Sequence, residues 1–262
     1  FQQRDGGLAG ASMKCVHLAG GLGTRLRPIT DERPKCLVKV AGRPLLAWWF
    51  TLFEREEVTD VVINLHHHAE QVRDFVSRYS GPVNIELFDE PTLLGSGGTL
   101  AALSDFYRNE EQFGILYGDN LTDVSIRRLA EHHRRYGSLL TVATFEPEDP
   151  QSCGIFEVAP GPAGMVVSFE EKPQSPRSDR ASAGIFIASG QIAEAIAEIE
   201  PPNAEPFDFG RHIMPKITAR MNVLSHDGYI RDIGTHASLR RADAEFPVSS
   251  SLYTDYNGPI AC

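Results

Sequence analysis

Short β-rich runs alternate with amphipathic helical runs through the first half of this chain. The runs with strand-like composition are Cys15–Ala19, Val61–Leu65, Val83–Phe88 and Phe113–Tyr117. Residues at helical spacing separate them, following Pro44 and filling the segments His67–Tyr79, Gly97–Phe106 and Val124–Tyr136. Because strands and helices alternate, the pattern predicts βαβ units with right-handed crossovers and a parallel sheet.

The second half has shorter connections between its apolar runs. Its predicted strands are Leu139–Phe145, Gly154–Val158, Met165–Phe169 and Ala183–Ala188. Proline-rich breaks at 173–180 and 200–206 interrupt this half without marking a separate domain. We therefore expect an α/β fold with a doubly wound, mostly parallel Rossmann-like sheet. A smaller mixed lobe should extend that sheet, with no clean linker between the two.

Composition and charge exclude several classes of function. The formal net charge of −10 over 262 residues argues against a broad nucleic-acid-binding face. The chain lacks an uncharged run of about 20 residues, the length needed to cross a membrane. The cysteines form no CxxC pair, which favours reduced thiols in a cytoplasm; they are Cys15, Cys36, Cys153 and Cys262. We therefore expect a soluble cytoplasmic protein without nucleic-acid or membrane partners.

A glycine-rich turn follows the first predicted strand directly, and its sequence is Leu18-Ala19-Gly20-Gly21-Leu22-Gly23-Thr24-Arg25-Leu26-Arg27-Pro28. Glycines allow the backbone to turn tightly and to point successive N–H groups at an anion. The carboxyl end of a strand is also where open α/β sheets bind ligands. The turn therefore predicts a phosphate-binding loop, with a purely structural glycine turn as the alternative.

Two common phosphate-binding motifs do not fit this turn. A dinucleotide-binding fingerprint that starts at Gly21 would need a glycine where Leu26 stands. A P-loop ends in Gly-Lys-Ser/Thr, whereas this turn has Gly23-Thr24-Arg25. A nicotinamide-dependent dehydrogenase is accordingly disfavoured.

The sequence Pro34-Lys35 follows the turn, with the lysine ten residues after Arg25. A GGxGTRLxP loop followed by Pro-Lys resembles the signature of the sugar-phosphate nucleotidyltransferases, and the resemblance extends from about Lys14 to Ala244. This family includes guanylyltransferases for mannose 1-phosphate and heptose phosphates, and thymidylyl- and uridylyltransferases for glucose 1-phosphate. The resemblance implies an enzyme that joins a nucleoside triphosphate to a sugar 1-phosphate, or to a cyclitol phosphate that mimics one, and releases pyrophosphate.

The resemblance also divides the chain. Residues 13–246 would form the nucleotidyltransferase domain, with a nucleotide-binding part at about 13–137 and a sugar-binding part at about 138–246. Residues 1–12 are polar and glycine-rich, and we interpret them as a tag remnant or a disordered tail. Residues 247–262 are expected to form a polar tail. For this family a homodimer is a further expectation.

In the family the glycine loop embraces the triphosphate, which implies nucleotide contacts from Leu18, Ala19, Gly20, Gly21, Gly23, Thr24 and Arg25. By the same resemblance, Arg25 steadies the departing pyrophosphate and Lys35 bridges the α-phosphate, where charge develops. In-line attack on phosphorus needs positioning and electrostatic stabilisation more than covalent help. Arginine supplies a rigid fork for phosphate and lysine a movable point charge. With Asp119, these two side chains are the predicted catalytic residues.

The segment Leu94–Thr99, LGSGGT, resembles the part of the family that lies against the nucleobase, which implies contacts from Gly95, Gly98 and Thr99. Its form resembles guanylyltransferases and heptose-phosphate enzymes more than thymidylyltransferases. GTP is therefore favoured, with UTP, CTP and dTTP as alternatives. We hypothesise that Glu90 accepts hydrogen bonds from guanine N1–H and the N2 amine; the alternative is that Glu90 is simply solvated.

Two aspartates far apart in the sequence form the predicted metal site. Asp119 follows an apolar strand, and an aspartate at such a strand end is well placed to hold Mg²⁺. In the family this Gly-Asp carboxylate is a metal ligand, and the resemblance places Gly118 at the nucleotide. The second ligand comes from an Asp-Ile-Gly-Thr segment, which starts here at Asp232. Two carboxylates and substrate phosphates can coordinate Mg²⁺, the expected cofactor, although either aspartate could instead cap a turn.

The sugar side resembles the family at Gly154, at Glu171-Lys172-Pro173 and at Ser182. By this resemblance Glu171 accepts hydrogen bonds from sugar hydroxyls and Lys172 meets the sugar phosphate, whereas a charged strand end is the structural alternative. Ser182 stands where the family usually has asparagine. Serine has a shorter reach and lacks the paired donors of an amide, so the acceptor could be a hexose, a heptose or a cyclitol phosphate.

We interpret two histidine clusters and a tryptophan pair as structural and assign them no part in binding or catalysis. Adjacent residues point in different directions, so the three histidines at 66–68 do not favour one metal ion. His132 and His133 belong to a charged helix and are expected on its solvated face. Trp48 and Trp49 are expected to fill the core or an interface. A non-catalytic sugar-nucleotide sensor of the same fold is the functional alternative to an enzyme.

Overall fold

The computed structural model describes residues 13–203 and 205–254. Residues 1–12, interpreted as a tag remnant or tail, lie outside the described residues, as does the last part of the predicted polar tail, 255–262. Among the helices that the structure describes, none is long and apolar enough to cross a membrane.

Within these residues the strands are β1 (Lys14–Leu18), β2 (Lys39–Val40), β3 (Arg43–Pro44), β4 (Asp60–Leu65), β5 (Asn84–Asp89), β6 (Phe113–Tyr117), β7 (Asn120–Thr122), β8 (Leu140–Phe145), β9 (Gly154–Val158), β10 (Val166–Glu171), β11 (Ala181–Ala188), β12 (Met221–Ser225) and β13 (Ile230–Asp232). The α-helices are α1 (Ile29–Glu32), α2 (Leu45–Arg55), α3 (Ala69–Val76), α4 (Ser96–Ala102), α5 (Ser104–Tyr107), α6 (Ile126–Tyr136), α7 (Ile192–Ala197), α8 (Met214–Ile217), α9 (His236–Ser249) and α10 (Ser251–Thr254). Single turns of 3₁₀-helix occur at Thr24–Leu26, Lys35–Leu37, Pro150–Ser152 and Thr218–Arg220, and a π-helix occurs at Phe209–Ile213.

The first half folds around a parallel core, as predicted. The strands β5, β4, β1 and β6 lie side by side in that order, and each neighbouring pair is parallel. Each of these strands lies within one residue of its predicted bounds. The single helix predicted over Gly97–Phe106 is wrong, because Leu103 leaves the helical conformation and separates α4 from α5.

The second half adds antiparallel strands to the same sheet. β11 lies antiparallel to β6 and also pairs with β8 and β9, while β10 forms the far edge beside β9. β12, which the sequence patterns did not predict, runs parallel to β8. Strands of both halves therefore share one nine-stranded sheet. This confirms the α/β fold, with a parallel centre and a mixed extension in the same sheet.

Two hydrophobic clusters cover the two faces of the sheet. Successive residues of β1 alternate between them, since Cys15 packs in the cluster around α2 and Val16 in the cluster around Phe113. A central parallel strand is buried on both faces, which explains the continuous apolar run of β1. Trp48 and Trp49 are each 2% exposed, so the expectation that this pair fills the core is confirmed.

The expectation of a solvated histidine pair on α6 is wrong for His133. This residue is 4% exposed, and its Nδ1 is hydrogen-bonded to Thr141 Oγ1 at 2.8 Å. Burial lowers the pKa of His133 to about 4, so the ring is neutral at pH 7. The side chain faces the sheet because it lies four residues after the buried Leu129, on the same face of the helix.

The segment after Phe246 is not a polar tail throughout. α9 continues to Ser249, α10 follows it, and Leu252 is 1% exposed in the core. The backbone N–H of Ser251 donates to Asp123 Oδ2 at 2.8 Å. This bond ties the segment to the residues just before α6, so the folded part of the chain extends beyond the predicted boundary.

Asp123→Asn is expected to lower the free energy of unfolding by about 1–3 kcal/mol at neutral pH. Burial raises the pKa of Asp123, but hydrogen bonds from His226, Ser251 and Tyr229 outweigh it and hold the pKa below its ordinary value. Ionisation therefore favours the folded state. This stability is present above the unfolded pKa of about 3.9 and is lost as pH falls through the lower folded pKa.

Urea unfolding of wild type and Asp123→Asn between about pH 7 and pH 3 measures this effect. The difference in stability between the two proteins should shrink as the pH falls. A difference that stays constant across this range would contradict the assignment of the stabilisation to the ionised carboxylate.

Candidate active site

One open cleft gathers predicted residues from both parts of the chain. Its volume is about 1440 Å³, which exceeds the roughly 300–1,000 Å³ of most small-ligand pockets. The predicted residues that line it are Arg25, Asp119, Gly154, Glu171, Lys172, Ser182 and Asp232. The predicted residues outside this lining are Lys35, the loop at 18–24, Glu90, Gly95, Gly98, Thr99 and Gly118. The cleft adjoins the carboxyl end of β6, where open α/β sheets bind ligands.

A two-stranded ribbon brings together the two aspartates of the predicted metal site. β7 begins at Asn120, directly after Asp119, and pairs antiparallel with β13, so that Asn120 lies opposite Asp232. The N–H of Ile233 also donates to the carbonyl of Asp119 at 3.1 Å. This pairing makes neighbours of two residues that are far apart in the sequence.

The ammonium group of Lys35 lies between these two carboxylates. Its Nζ is 2.9 Å from Asp119 Oδ2 and 3.0 Å from Asp232 Oδ1, and the residue is 8% exposed. Burial alone would lower the pKa of Lys35, but the carboxylates outweigh it and raise the pKa above its ordinary value. Burial likewise raises the pKa of Asp119, but Lys35 outweighs it and lowers that pKa. Lys35 and Asp119 are therefore both charged at neutral pH.

Arg25 adds a second cation to this cluster. Its Nη2 is 3.5 Å from Asp232 Oδ2, and its exposed side chain lines the cleft. The oxygens of Asp119 and Asp232 face a single cation, the ammonium group of Lys35. Carboxylate oxygens are also the ligands that Mg²⁺ prefers. Within residues 13–203 and 205–254, no group of three or more His, Cys, Asp or Glu side chains could hold a metal ion. An ion at this pair would therefore need further oxygens from phosphate or water.

Only some amides of the glycine loop have acceptors among the residues that the structure describes. The N–H groups of Ala19 and Gly20 donate to Asn64 Oδ1 at 2.6 and 3.1 Å. Those of residues 21–23 donate to no acceptor in the described part of the chain. Gly23 has a φ of 63°, in the left-handed region that favours glycine. The loop thus offers the row of free donors that an anion site needs, although two of its amides are already bonded to Asn64.

Glu90 is buried, so the alternative that it is simply solvated is wrong. The residue is 3% exposed. Its Oε1 accepts from Asn64 Nδ2 at 2.9 Å and from the Thr99 hydroxyl, and its Oε2 accepts from the N–H of Leu94 at 3.3 Å. A guanine base would have to share these oxygens with the protein donors.

The segment at 94–99 packs closely against the backbone of residue 207. The N–H groups of Gly97 and Gly98 donate to the carbonyl of Phe207 at 2.8 and 3.1 Å. Gly95 has a φ of 81°, and a Cβ there would lie 2.6 Å from the same carbonyl oxygen. Close packing therefore accounts for the glycine at 95, while the base contacts of Gly95, Gly98 and Thr99 stay predictions.

Gly154 and Glu171 are neighbours on the paired strands β9 and β10. A Cβ at residue 154 would lie 2.7 Å from Glu171 Oε2 and 2.8 Å from Phe169 Cε2, so glycine leaves room for both side chains. Burial raises the pKa of Glu171, Lys172 opposes this effect and Asp208 adds to it. Lys172 is exposed, with its Nζ 3.8 Å from Glu171 Oε1. These residues form a polar wall of the cleft that carries both signs of charge.

Ser182 lines the cleft from β11, and its Oγ accepts from the N–H of Gly184 at 3.3 Å. Gly184 has a φ of 68°, and a Cβ there would lie 2.5 Å from Asn120 Nδ2. Asn120 in turn donates to the carbonyl of Ala183 at 2.9 Å. The residue after Asp119 is thus tied to the strand that carries Ser182, which fixes these two walls of the cleft relative to each other.

The three adjacent histidines do not converge on one site. Each ring is hydrogen-bonded to the backbone carbonyl of a different residue, at 2.8, 2.8 and 3.1 Å for His66, His67 and His68. Their structural interpretation is therefore confirmed.

The sequence matches the family model described as nucleotidyl transferase over residues 14–247. The chain belongs to this family. It is 29% identical over 227 residues to the mannose-1-phosphate guanyltransferase of Schizosaccharomyces pombe, across 85% of this chain and 61% of that protein. It is 30% identical over 230 residues to the mannose-1-phosphate guanylyltransferase catalytic subunit beta of Drosophila pseudoobscura pseudoobscura, across 86% of this chain and 60% of that protein. The chain therefore spans about three-fifths of the length of these relatives.

Solved structures share the nucleotidyl transferase fold of this chain. A Bacillus anthracis protein described as a glucose-1-phosphate thymidylyltransferase, in complex with sucrose, has a TM-score of 0.79 at 25% identity over 95% of this chain and 98% of that chain. A UDP-glucose pyrophosphorylase complexed with UDP-glucose has a TM-score of 0.78 at 17% identity, over 90% of this chain and 98% of that chain, which shows the fold alone. The family inferred from the glycine loop and the distant aspartates is thus confirmed.

Three polar side chains in or beside the candidate site escaped the sequence patterns: Asn64, Asn120 and Asp208. Asp208 lines the cleft, accepts from Ser96 Oγ at 3.0 Å and caps the π-helix by accepting from the N–H of Arg211. Asn64 lies near the carboxyl end of β4, a position at which a polar residue in an apolar strand could have suggested a role. Asn120 begins the short strand β7 and Asp208 directly precedes the π-helix, and neither position gives a comparable indication.

Proposed function

We propose that this chain is a sugar-1-phosphate nucleotidyltransferase. It would condense a nucleoside triphosphate, with GTP preferred, and a sugar 1-phosphate or sugar-like cyclitol phosphate into an NDP-sugar and pyrophosphate. The strongest support is the Lys35 ammonium held between Asp119 and Asp232, beside a cleft that also contains Glu171 and Lys172. A polyanionic substrate that approaches an acidic protein needs such local cations.

The reaction would be a single in-line displacement. A phosphate oxygen of the sugar 1-phosphate attacks the α-phosphorus, the bond to the bridging oxygen of the β-phosphate breaks, and pyrophosphate leaves on the opposite side. The attacking phosphate is already an anion, so no general base is required. Arg25 would steady the departing pyrophosphate, and Lys35 would stabilise charge at the α-phosphate. Mg²⁺ held by Asp119 and Asp232 would, when bound, neutralise phosphate charge.

The two parts of the chain would bind the two substrates. In the part at 13–137, the free amides of residues 21–23 would bind the triphosphate. In the part at 138–246, Glu171 would accept hydrogen bonds from sugar hydroxyls and Lys172 would meet the sugar phosphate. Gly154 and Ser182 shape the wall around them.

The preference for GTP is supported by the two guanylyltransferases that this chain resembles over most of its length. UTP, CTP and dTTP are the alternatives. A cytoplasmic location accords with the free thiols of Cys15, Cys36 and Cys153, whereas Cys262 lies outside the described residues. Assembly as a homodimer is a further proposal taken from the family.

Pyrophosphate release tests this function. The assay should combine Mg²⁺ with a grid of nucleoside triphosphates against mannose, glucose, heptose and cyclitol phosphates. At least one pair should release pyrophosphate in step with NDP-sugar formation. Nucleotide binding without release across the whole grid would refute the enzyme and favour a sugar-nucleotide sensor.

Gly154→Ala is expected to impair the sugar side selectively. The added Cβ would lie 2.7 Å from Glu171 Oε2, so this carboxylate must move. We expect KM for the sugar phosphate to rise about tenfold while KM for the nucleotide changes by less than about twofold. Glu171→Gln removes charge without adding volume and should affect the same KM. Equal rises in both KM values for Gly154→Ala would contradict a role confined to the sugar side.

A further inference from the structure

We infer that Glu90 is a positioning residue for the phosphate-binding loop and acts through Asn64, without direct contact to the base. This inference rests on the proposed function, since it assigns the free amides at 21–23 to the triphosphate. It also replaces the hypothesis that Glu90 recognises guanine.

Asn64 connects the buried carboxylate to the glycine loop. On one side, its Nδ2 donates to Glu90 Oε1 at 2.9 Å. On the other side, its Oδ1 accepts from the N–H groups of Ala19 and Gly20 at 2.6 and 3.1 Å. Asn64 is 5% exposed, and a Cβ on Gly20 would lie 2.7 Å from its Nδ2. The three groups therefore form a continuous, closely packed chain of hydrogen bonds.

A carboxylate at position 90 fixes which way the Asn64 amide points. An ionised carboxylate can only accept hydrogen bonds, and the backbone N–H groups of the loop can only donate them. Only one orientation of the amide between them satisfies both sides. In the flipped orientation Nδ2 would face two N–H donors and Oδ1 would face Glu90, and unpaired buried polar groups are strongly unfavourable.

The remaining contacts of Glu90 are also with the protein. Its Oε1 accepts from the Thr99 hydroxyl and its Oε2 from the N–H of Leu94. At 3% exposure, both oxygens are enclosed by these donors and by Asn64. A base edge would have to share these buried oxygens with the protein donors, so the observed contacts favour positioning over base recognition.

The expected consequence is an effect on phosphate binding that does not depend on the base. Asn64 occupies the amides of Ala19 and Gly20, and the amides at 21–23 follow directly without acceptors in the described residues. A loop whose turn is fixed before the ligand arrives loses less conformational freedom on binding. Weakening this support should lower the affinity for the phosphate end of every nucleoside triphosphate alike.

Glu90→Gln tests the inference with inorganic tripolyphosphate as the probe, since it has no base. The NH₂ group of the glutamine amide would face the Nδ2 donor of Asn64 in one orientation and the N–H of Leu94 in the other. Calorimetric titration of the full chain should show that tripolyphosphate, GTP, ATP, UTP and CTP all bind about tenfold more weakly, with their ranking unchanged. A loss confined to GTP, or no loss at all, would overturn the inference.

A double-mutant cycle tests whether Glu90 acts through Asn64. Asn64→Ala alone should weaken all five ligands alike, and adding Glu90→Gln to it should change affinity by less than about twofold. Multiplicative losses would contradict the inference. Glu86→Gln, at an exposed position on the neighbouring strand, is the matched control for the loss of a carboxylate. Thermal melting verifies that each variant is folded.

The same proteins separate this inference from the proposed function. If wild type binds tripolyphosphate but releases no pyrophosphate with any sugar phosphate, the enzyme is refuted, while the variants still decide the role of Glu90. If wild type releases pyrophosphate and Glu90→Gln binds every ligand equally well, the enzyme stands and the positioning role is refuted.

Discussion

Lys35→Met should lower kcat for pyrophosphate release by about 100- to 1000-fold. KM for the nucleotide should change by less than about tenfold. The Nζ of Lys35 is held within 3.0 Å of Asp119 and Asp232, the two residues that would hold the metal. The positive charge of Lys35 matters most as negative charge develops on the reacting phosphate. Loss of this charge should therefore raise the activation free energy more than it weakens nucleotide binding. Methionine retains the length of the buried stem without the charge.

Lys39→Met is the matched control, because Lys39 is an exposed lysine close in sequence. It should leave kcat within about twofold of wild type. A Lys35→Met enzyme that folds and retains kcat within about threefold of wild type would remove Lys35 from the mechanism. A rise in KM alone would make Lys35 a binding residue without a part in the transition state.

Asp232→Asn and Asp119→Asn should each make turnover far less responsive to Mg²⁺. Each substitution keeps the size of the side chain but removes one of the two carboxylates that flank Lys35. A hard divalent cation prefers charged oxygen ligands, so we expect the Mg²⁺ concentration for half-maximal rate to rise at least about tenfold. Maximal turnover should fall by about 100-fold or more. Titration of Mg²⁺ at saturating nucleotide measures both quantities.

Asp227→Asn provides the control for charge within the same cleft. Asp227 lines that cleft but forms no ion pair among the described residues. Its substitution should leave the Mg²⁺ titration unchanged. If Asp119→Asn and Asp232→Asn behave like this control, the metal does not bind at this pair of aspartates.

Local motifs were enough to predict the site residues that come directly after a strand of the parallel sheet. The glycine loop after β1 and Asp119 after β6 both lie where a parallel sheet binds ligands, so strand order alone places them together. The nearness of Asp232 came from the family resemblance. The short distance between Asp232 and Asp119 depends on the pairing of β7 with β13, which no periodicity in the sequence indicates.

Side-chain direction and burial could not be predicted in the same way. Glu90 follows a polar-looking edge strand, but the turn after β5 places it inward against Asn64. His133 belongs to a strongly charged helix, yet it faces β8 because of its place on the helix surface. Leu252 lies among polar residues and is buried because α10 packs against α9 and α2. Each outcome depends on tertiary neighbours that a linear pattern does not contain.

The fate of the phosphates tests the central claim most directly. Wild-type chain is incubated with Mg²⁺, the acceptor found by the substrate grid and GTP labelled either at the α- or at the γ-phosphate. The single displacement predicts that the α-label enters the NDP-sugar and the γ-label appears in pyrophosphate, in equal amounts. Release of the α-label as free GMP or GDP, or of the γ-label as inorganic phosphate, would contradict nucleotidyl transfer by this cleft.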